Sequence, residues 1–201
     1  SEAVHLSNFE VRMGERASLR DFTLIEGGRA TRQQGFVTFE GEHAEARIGG
    51  AYLLGGSQHA DTRLVVDHAV PHCTSRELFK CVMDDDARGV FQGKVLVRQK
   101  AQKTDGKQSS HGLLLSPTAE FDTKPELEIF ADDVVCGHGA TSGELNEDHL
   151  FYLRARGIPE EEAKSLLIGA FAAEAFDFVE NDAVRDALSG LAASWLARRR
   201  K

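Results

Sequence analysis

The stretch DTKPELEIFADDVVCGHGAT, residues 122–141, sets the reading of the whole chain. Leu127, Ile129 and Ala131 alternate with Glu128, the period-two pattern of a strand with one face buried and the other in water. The run then brings Cys136 and His138 two residues apart, interleaved with Gly137 and Gly139. Side chains at i and i+2 of a strand share a face. Sulfur and ring nitrogen can then reach one metal at bond lengths of about 2.0–2.3 Å. Two ligands leave a tetrahedral site half filled, and no second Cys or His cluster lies nearby in sequence. The missing ligands are expected from a distant part of the fold or from another chain, which points to an interface rather than a closed pocket.

Working outward, short β-like runs recur at residues 22–25, 36–39, 64–66, 78–83, 95–97 and 113–115, separated by glycine-rich or polar breaks. The chain from about His5 to Val135 therefore reads as mainly β. Phe79, Cys81 and Met83 share one interior face by the same period. The pairs Gly27-Gly28, Gly49-Gly50 and Gly55-Gly56 suit turns, and Asp84, Asp85 and Asp86 suit a solvated turn. Periodicity alone leaves sandwich, barrel and β-solenoid open.

After Gly143 the period becomes helical. Asn146 caps a helix running to Arg156, Leu145 and Leu150 form a hydrophobic staple, and Gly157 ends the helix so that Ile158 folds back on Leu153. Pro159 and Glu160, Glu161 and Glu162 open a second helix with an apolar stripe of Ala163, Leu166, Leu167, Ala170 and Phe171. A third, opened by Asn181 or Asp182, carries Val184, Ala187, Leu188, Leu191 and Trp195. Cations from Arg198 to Lys201 favour the negative end of its dipole.

Composition narrows the function classes. The chain of 201 residues is 41% hydrophobic, enough for a sizeable core, and its formal net charge of -8 repels phosphate backbones, so no nucleic acid is expected as partner. No apolar run is long enough to span a bilayer, so no membrane partner and a cytoplasmic location are expected. Cys73, Cys81 and Cys136 lack disulfide-framework spacing, which suits a reducing compartment. The start at Ser1 leads us to expect a segment of a longer protein. His68, His72 and Cys73 look metal-like, but Pro71 breaks the helix their spacing would need. The phosphate-loop pattern G-x-x-x-x-G-K-[ST] is absent, so ATP hydrolysis is not expected of this chain.

Three segments, RGVFQGKVLVRQKAQKTDG from Arg88, LLLSPTAEFDTKPELEIFADDVVCGHGAT from Leu113 and LFYLRARGIPEEEAKSLLIGAFAAE from Leu150, resemble the C-terminal core of the SufB/SufD family, with the SufD type nearer. The resemblance covers about Leu64 to Ala175. It implies a right-handed parallel β-helix over residues 1–143, followed by a C-terminal α-helical region over residues 144–201. It also implies a scaffold of the Suf iron-sulfur cluster assembly system, not an enzyme, whose partners are SufB, through the end of the β-helix, and the SufC ATPase, through the helical region. His138 occupies the family position implicated as a ligand of a transient iron-sulfur cluster shared with SufB, and Cys136 matches the cysteine of the same segment. No cofactor is expected on the isolated chain.

Two other readings compete. Cys136 activated by His138 would make a thiol enzyme, which needs a lowered thiol pKa and an accessible pocket. A structural β-solenoid interaction module would leave both residues incidental. An open coil end also allows self-association, because an unpaired strand edge is a template for pairing.

Overall fold

The computed structural model describes residues 2–199. Ten strands come first: β1 (Val4–Met13), β2 (Ser18–Ile25), β3 (Ala30–Phe39), β4 (Glu45–Leu54), β5 (His59–His68), β6 (Thr74–Met83), β7 (Arg88–Val97), β8 (Asp105–Leu114), β9 (Glu120–Ile129) and β10 (Val135–Gly143). Three helices follow: α1 (Glu147–Ala155), α2 (Glu160–Phe176) and α3 (Asp182–Arg199). Each strand pairs with the strand two places on, always in parallel. The odd strands build one five-stranded sheet and the even strands another. Every coil thus contributes one strand to each sheet, and the stack is a parallel β-solenoid. His59 lies beside Arg88 and Thr74 beside Asp105, so one coil uses about 30 residues.

Tight corners allow this regularity. Arg16, His43, His72 and Lys103 take φ of 56, 60, 59 and 62°, each two residues before an even strand. Four coils turn the same corner with the same left-handed residue. Gly28 and Gly56 serve the opposite corner at φ 77 and 59°, as their glycine pairs predicted. Gly49-Gly50 does not. Both lie inside β4, where a Cβ on Gly50 would sit 2.5 Å from the Phe79 ring and one on Gly49 2.9 Å from the Phe22 ring. These glycines make room for aromatic rings on the two faces of the sheet, a packing need that imitates a turn signal.

Between the sheets, Val37, Phe39, Ile48, Tyr52, Leu64, Val66, Phe79 and Phe91 form the main core. Cys81 and Met83 join Phe79 there as expected. Register places like over like: Phe39 lies beside His68, and their rings stack at 4.4 Å. His68 is wholly buried and bonds Ser75 Oγ at 3.1 Å, while His72 is exposed and stacks on His43. The metal-like trio is therefore dispersed. Glu77 and Gln108 are also buried, and Gln108 Nε2 donates to Glu77 Oε2 at 2.6 Å. Burial pushes the Glu77 carboxyl up to about 7, against the lowering effect of hydrogen bonds from Gln108 and Ser75.

The helices cover the outer face of the even-strand sheet. Ala51, Leu53, Val82 and Leu113 meet Ile168, Ala172, Ala175, Phe176, Ala192 and Trp195. Asn146 Oδ1 accepts from His149 N, Leu145 and Leu150 are both packed inward, and Gly157 at φ 86° lets Ile158 N donate to Leu153 O, all as predicted. The packed faces of the later helices differ from the predicted stripes. Leu166 is 50% exposed, Val184 48% and Leu191 45%. α2 is apolar around most of its circumference, so period alone does not choose its face; contact with β4 and β6 does. Asp84 is not a solvated turn residue either, since it is buried and pairs with Arg199, while Arg198 pairs with Glu26 at 3.5 Å. The terminal cations thus tie α3 to the solenoid corners; Arg200 and Lys201 lie outside the described residues.

Adding a methyl at Gly50 must displace a phenyl ring already packed on Phe91 at 4.2 Å. Gly50→Ala is expected to lower unfolding free energy by roughly 1–3 kcal/mol in urea denaturation. Gly137→Ala, which enters open space, should change it by less than about 0.5 kcal/mol. Because the folded chain holds the Glu77 proton more tightly than the unfolded chain, the stabilisation from Glu77 is complete below pH 4.5 and is lost as pH rises to about 7. The loss is on the order of 3 kcal/mol. Glu77→Gln is expected to remove that slope between pH 5 and 8, and an unchanged slope would assign it to other groups.

Candidate functional site

The last coil ends the solenoid. β9 and β10 are terminal in their sheets, each paired along one edge only among the described residues. In β8 the residues Gly106, Gln108, Ser110 and Gly112 are buried and face the interior. β10 pairs with β8 so that Cys136 lies beside Gly106 and His138 beside Gln108. Register partners share a face, so Cys136 and His138 both belong to the interior face of a rung that nothing covers from above. This is the same-face placement that their spacing predicts.

Openness affects the two differently. Cys136 is half-buried against the small cluster of Val95, Val97, Ala101 and Ala131. Its sulfur packs over Gly106 of the rung below, 3.6 Å from where a Cβ there would lie, an ordinary contact distance. Burial pushes the thiol pKa up, the Gly106 backbone hydrogen bond pulls it down, and the charges of Asp105 and Glu77 raise it further. An activated nucleophile needs the opposite shift. His138 is exposed at the rim. Nothing crowds Gly137 or Gly139 within 4 Å of a Cβ, which leaves the strand open to a second backbone.

The rim is also apolar. Val135 is 63% exposed and Phe130 60%, with Ile129 at the end of β9 exposed too. Ile129 was expected to point into a covered core; with no following coil above it, only Leu127 and Ala131 of its set are sheltered. The buried pair Gln108 and Glu77, one and two rungs below His138, carries no recognisable motif. Its signal in the sequence is only that polar residues stand at period-two positions that should be apolar. No group of three or more His, Cys, Asp or Glu side chains suited to a metal occurs among the described residues. No described helix is long and apolar enough to cross a membrane.

Comparison with known proteins matches residues 1–171 to the family described as SUF system FeS cluster assembly, SufBD core domain. The chain is 38% identical over 181 residues to the iron-sulfur cluster assembly protein SufD of Escherichia coli, covering 90% of this chain and 43% of that protein. It is 38% identical over 176 residues to a SufBD family protein of Synechocystis, covering 88% and 39% respectively. Protein ABCI7, chloroplastic, of Arabidopsis thaliana is 36% identical over 172 residues, covering 83% and 36%. The chain spans less than half the length of these relatives. Matched by the family model over residues 1–171 and 38% identical to a relative over nine-tenths of its length, this chain belongs to the SufBD family of iron-sulfur cluster assembly proteins.

Proposed function

We propose that this chain is the part of a SufD-like scaffold that docks SufB through the open end of its solenoid and contributes His138 as a ligand to a nascent iron-sulfur cluster. The cluster is cargo, held between subunits and passed on, and the protein performs no turnover of its own. One observation carries the reading: an exposed imidazole and a half-buried thiol share the interior face of the last rung, and no group of three or more potential ligands forms among the described residues. A neutral imidazole is a borderline ligand suited to iron. The exposed Val135, Phe130 and Ile129 provide the apolar surface against which a partner excludes water.

In this reading residues 1–143 supply the SufB contact and residues 144–201 the contact with SufC, whose ATPase activity drives rearrangement of the complex. Phe151 and Tyr152, 73% and 56% exposed on α1, are suited to the second contact. The free cysteines fit a cytoplasmic setting in which thiols stay reduced. Cys136 is assigned a supporting place in the ligand set, since its raised pKa disfavours the thiolate until a metal is near. The same rim lets the isolated chain associate with itself when SufB is absent.

His138→Ala should leave the thermal unfolding midpoint of the full-length protein within a few degrees of wild type. Cluster assembly by the complex with SufB and SufC should fall at least about tenfold, the loss typical of a ligand-shell change. Unchanged assembly removes the proposed role. Alkylation of Cys136 by iodoacetamide at pH 7 should run slower than that of a free thiol and should not depend on His138. Fast labelling that vanishes in His138→Ala would favour the thiol-enzyme reading instead.

A further inference from the structure

Glu77, Gln108 and His138 occupy one column of the even-strand sheet: Glu77 pairs in register with Gln108, and Gln108 with His138. All three belong to the interior face. Glu77 is 2% exposed and Gln108 1%, so this polar pair is sealed directly beneath the rim. Its geometry is tightly held. A Cβ on Gly93, across the interior in β7, would lie 2.4 Å from Gln108 Nε2, so the carboxamide spans the coil and wedges into the space a glycine leaves.

An ionised carboxylate only accepts hydrogen bonds. Above about pH 7, where Glu77 is ionised, the Gln108 nitrogen therefore faces Glu77, to which it donates at 2.6 Å, and the Gln108 carbonyl becomes the free end. That oxygen, Oε1, is buried and has no hydrogen-bond partner among the described residues, His138 included, and Glu77 Oε1 is unpartnered as well. Buried carbonyls without partners are uncommon in folded proteins, and one beside a functional residue calls for a donor. The next residue in the column is His138, one strand spacing away at about 4.8 Å between backbones, whose exposed ring reaches that oxygen only by turning inward over the last rung.

We propose that Gln108, anchored by Glu77, is the positioning residue whose side-chain carbonyl accepts the N–H of His138 and so fixes its tautomer and ring orientation. A neutral imidazole has one N–H and one lone pair. Giving the N–H to the carbonyl below leaves the lone pair on the other nitrogen, turned toward the open end where a ligand must point. Glu77 has no direct contact with the cargo; it holds the amide right way round. The proposal rests on His138 being a ligand for its purpose, while the hydrogen bond itself is measurable without any cluster.

The test uses the chain as it stands, labelled with 15N-histidine, at pH 8 so that Glu77 is ionised. The wild-type chain should show a one-bond 1H–15N ring cross-peak for His138, identified by its loss in His138→Ala, because a hydrogen-bonded N–H is protected from exchange. Long-range correlations should report a single tautomer. In Gln108→Met, which keeps the length and removes the acceptor, the peak should vanish and the two nitrogens should move toward values averaged by exchange. Glu77→Gln, which lets the amide take either orientation, should weaken the peak by at least half. Absence of the peak in wild type, or its persistence in Gln108→Met, overturns the proposal. If Gln108→Met does not fold, the wild-type and Glu77→Gln spectra decide, and an unweakened peak in the latter counts against it. Assembly by His138→Ala complexes reports on the ligand role separately, so either idea can fail alone.

Discussion

The parallel ladder joining each strand to its counterpart a full coil later is the constraint on which everything else depends. It aligns Cα atoms rung upon rung, so a residue's environment is set less by its chain neighbours than by residues about 30 positions away. Aromatic groups stack on aromatic groups, as with Phe39 and His68, and glycines appear where a neighbouring rung sends a ring or an amide across. The ladder also has an unavoidable consequence: it must stop. The final strands offer backbone and side chains that no further rung satisfies, and an unpaired edge of this kind is a liability unless something docks on it.

That termination gives the candidate site its character. Cys136 and His138 lie on the interior face of the solenoid, yet the interior ends with them, so a column that would be core elsewhere becomes surface. The apolar rim around them is core composition exposed by the same cause. In the proposed role, this pair is half of a ligand set that a docking subunit completes, so that the cradle forms with the complex and separates with it. Beneath it, Glu77 and Gln108 place polarity in the coil where aliphatic packing would serve stability better, at a cost that rises with pH. Polar groups retained at such a cost are best understood through what they orient.

Much of this is legible in the sequence. Alternation around Leu127 marked a strand, the Asn146 cap and Gly157 terminator bounded α1, and i, i+2 spacing put Cys136 and His138 on one face. The pairing of strands was not legible, because period two is the same in a sandwich, a barrel and a solenoid; only the long segments shared with the SufBD family implied the parallel arrangement. Gly49-Gly50 misled for a related reason, since a glycine that admits a ring from a distant rung is locally identical to one that turns the chain. The packed faces of α2 and α3 depended on which strands lay beneath them. The Glu77 and Gln108 pair was hidden because its partners are separated by 31 positions in sequence.

The proposed role makes the His138 imidazole one part of a ligand set completed by another subunit. The most direct measurement is pulsed electron paramagnetic resonance on a reduced cluster assembled on the full-length complex, with 15N-histidine incorporated only into this subunit and SufB unlabelled. If His138 is a ligand, hyperfine coupling from a directly bound 15N nucleus is expected, and it should disappear when the label is moved to SufB. A paramagnetic cluster with no 15N coupling from this subunit would contradict the proposed role.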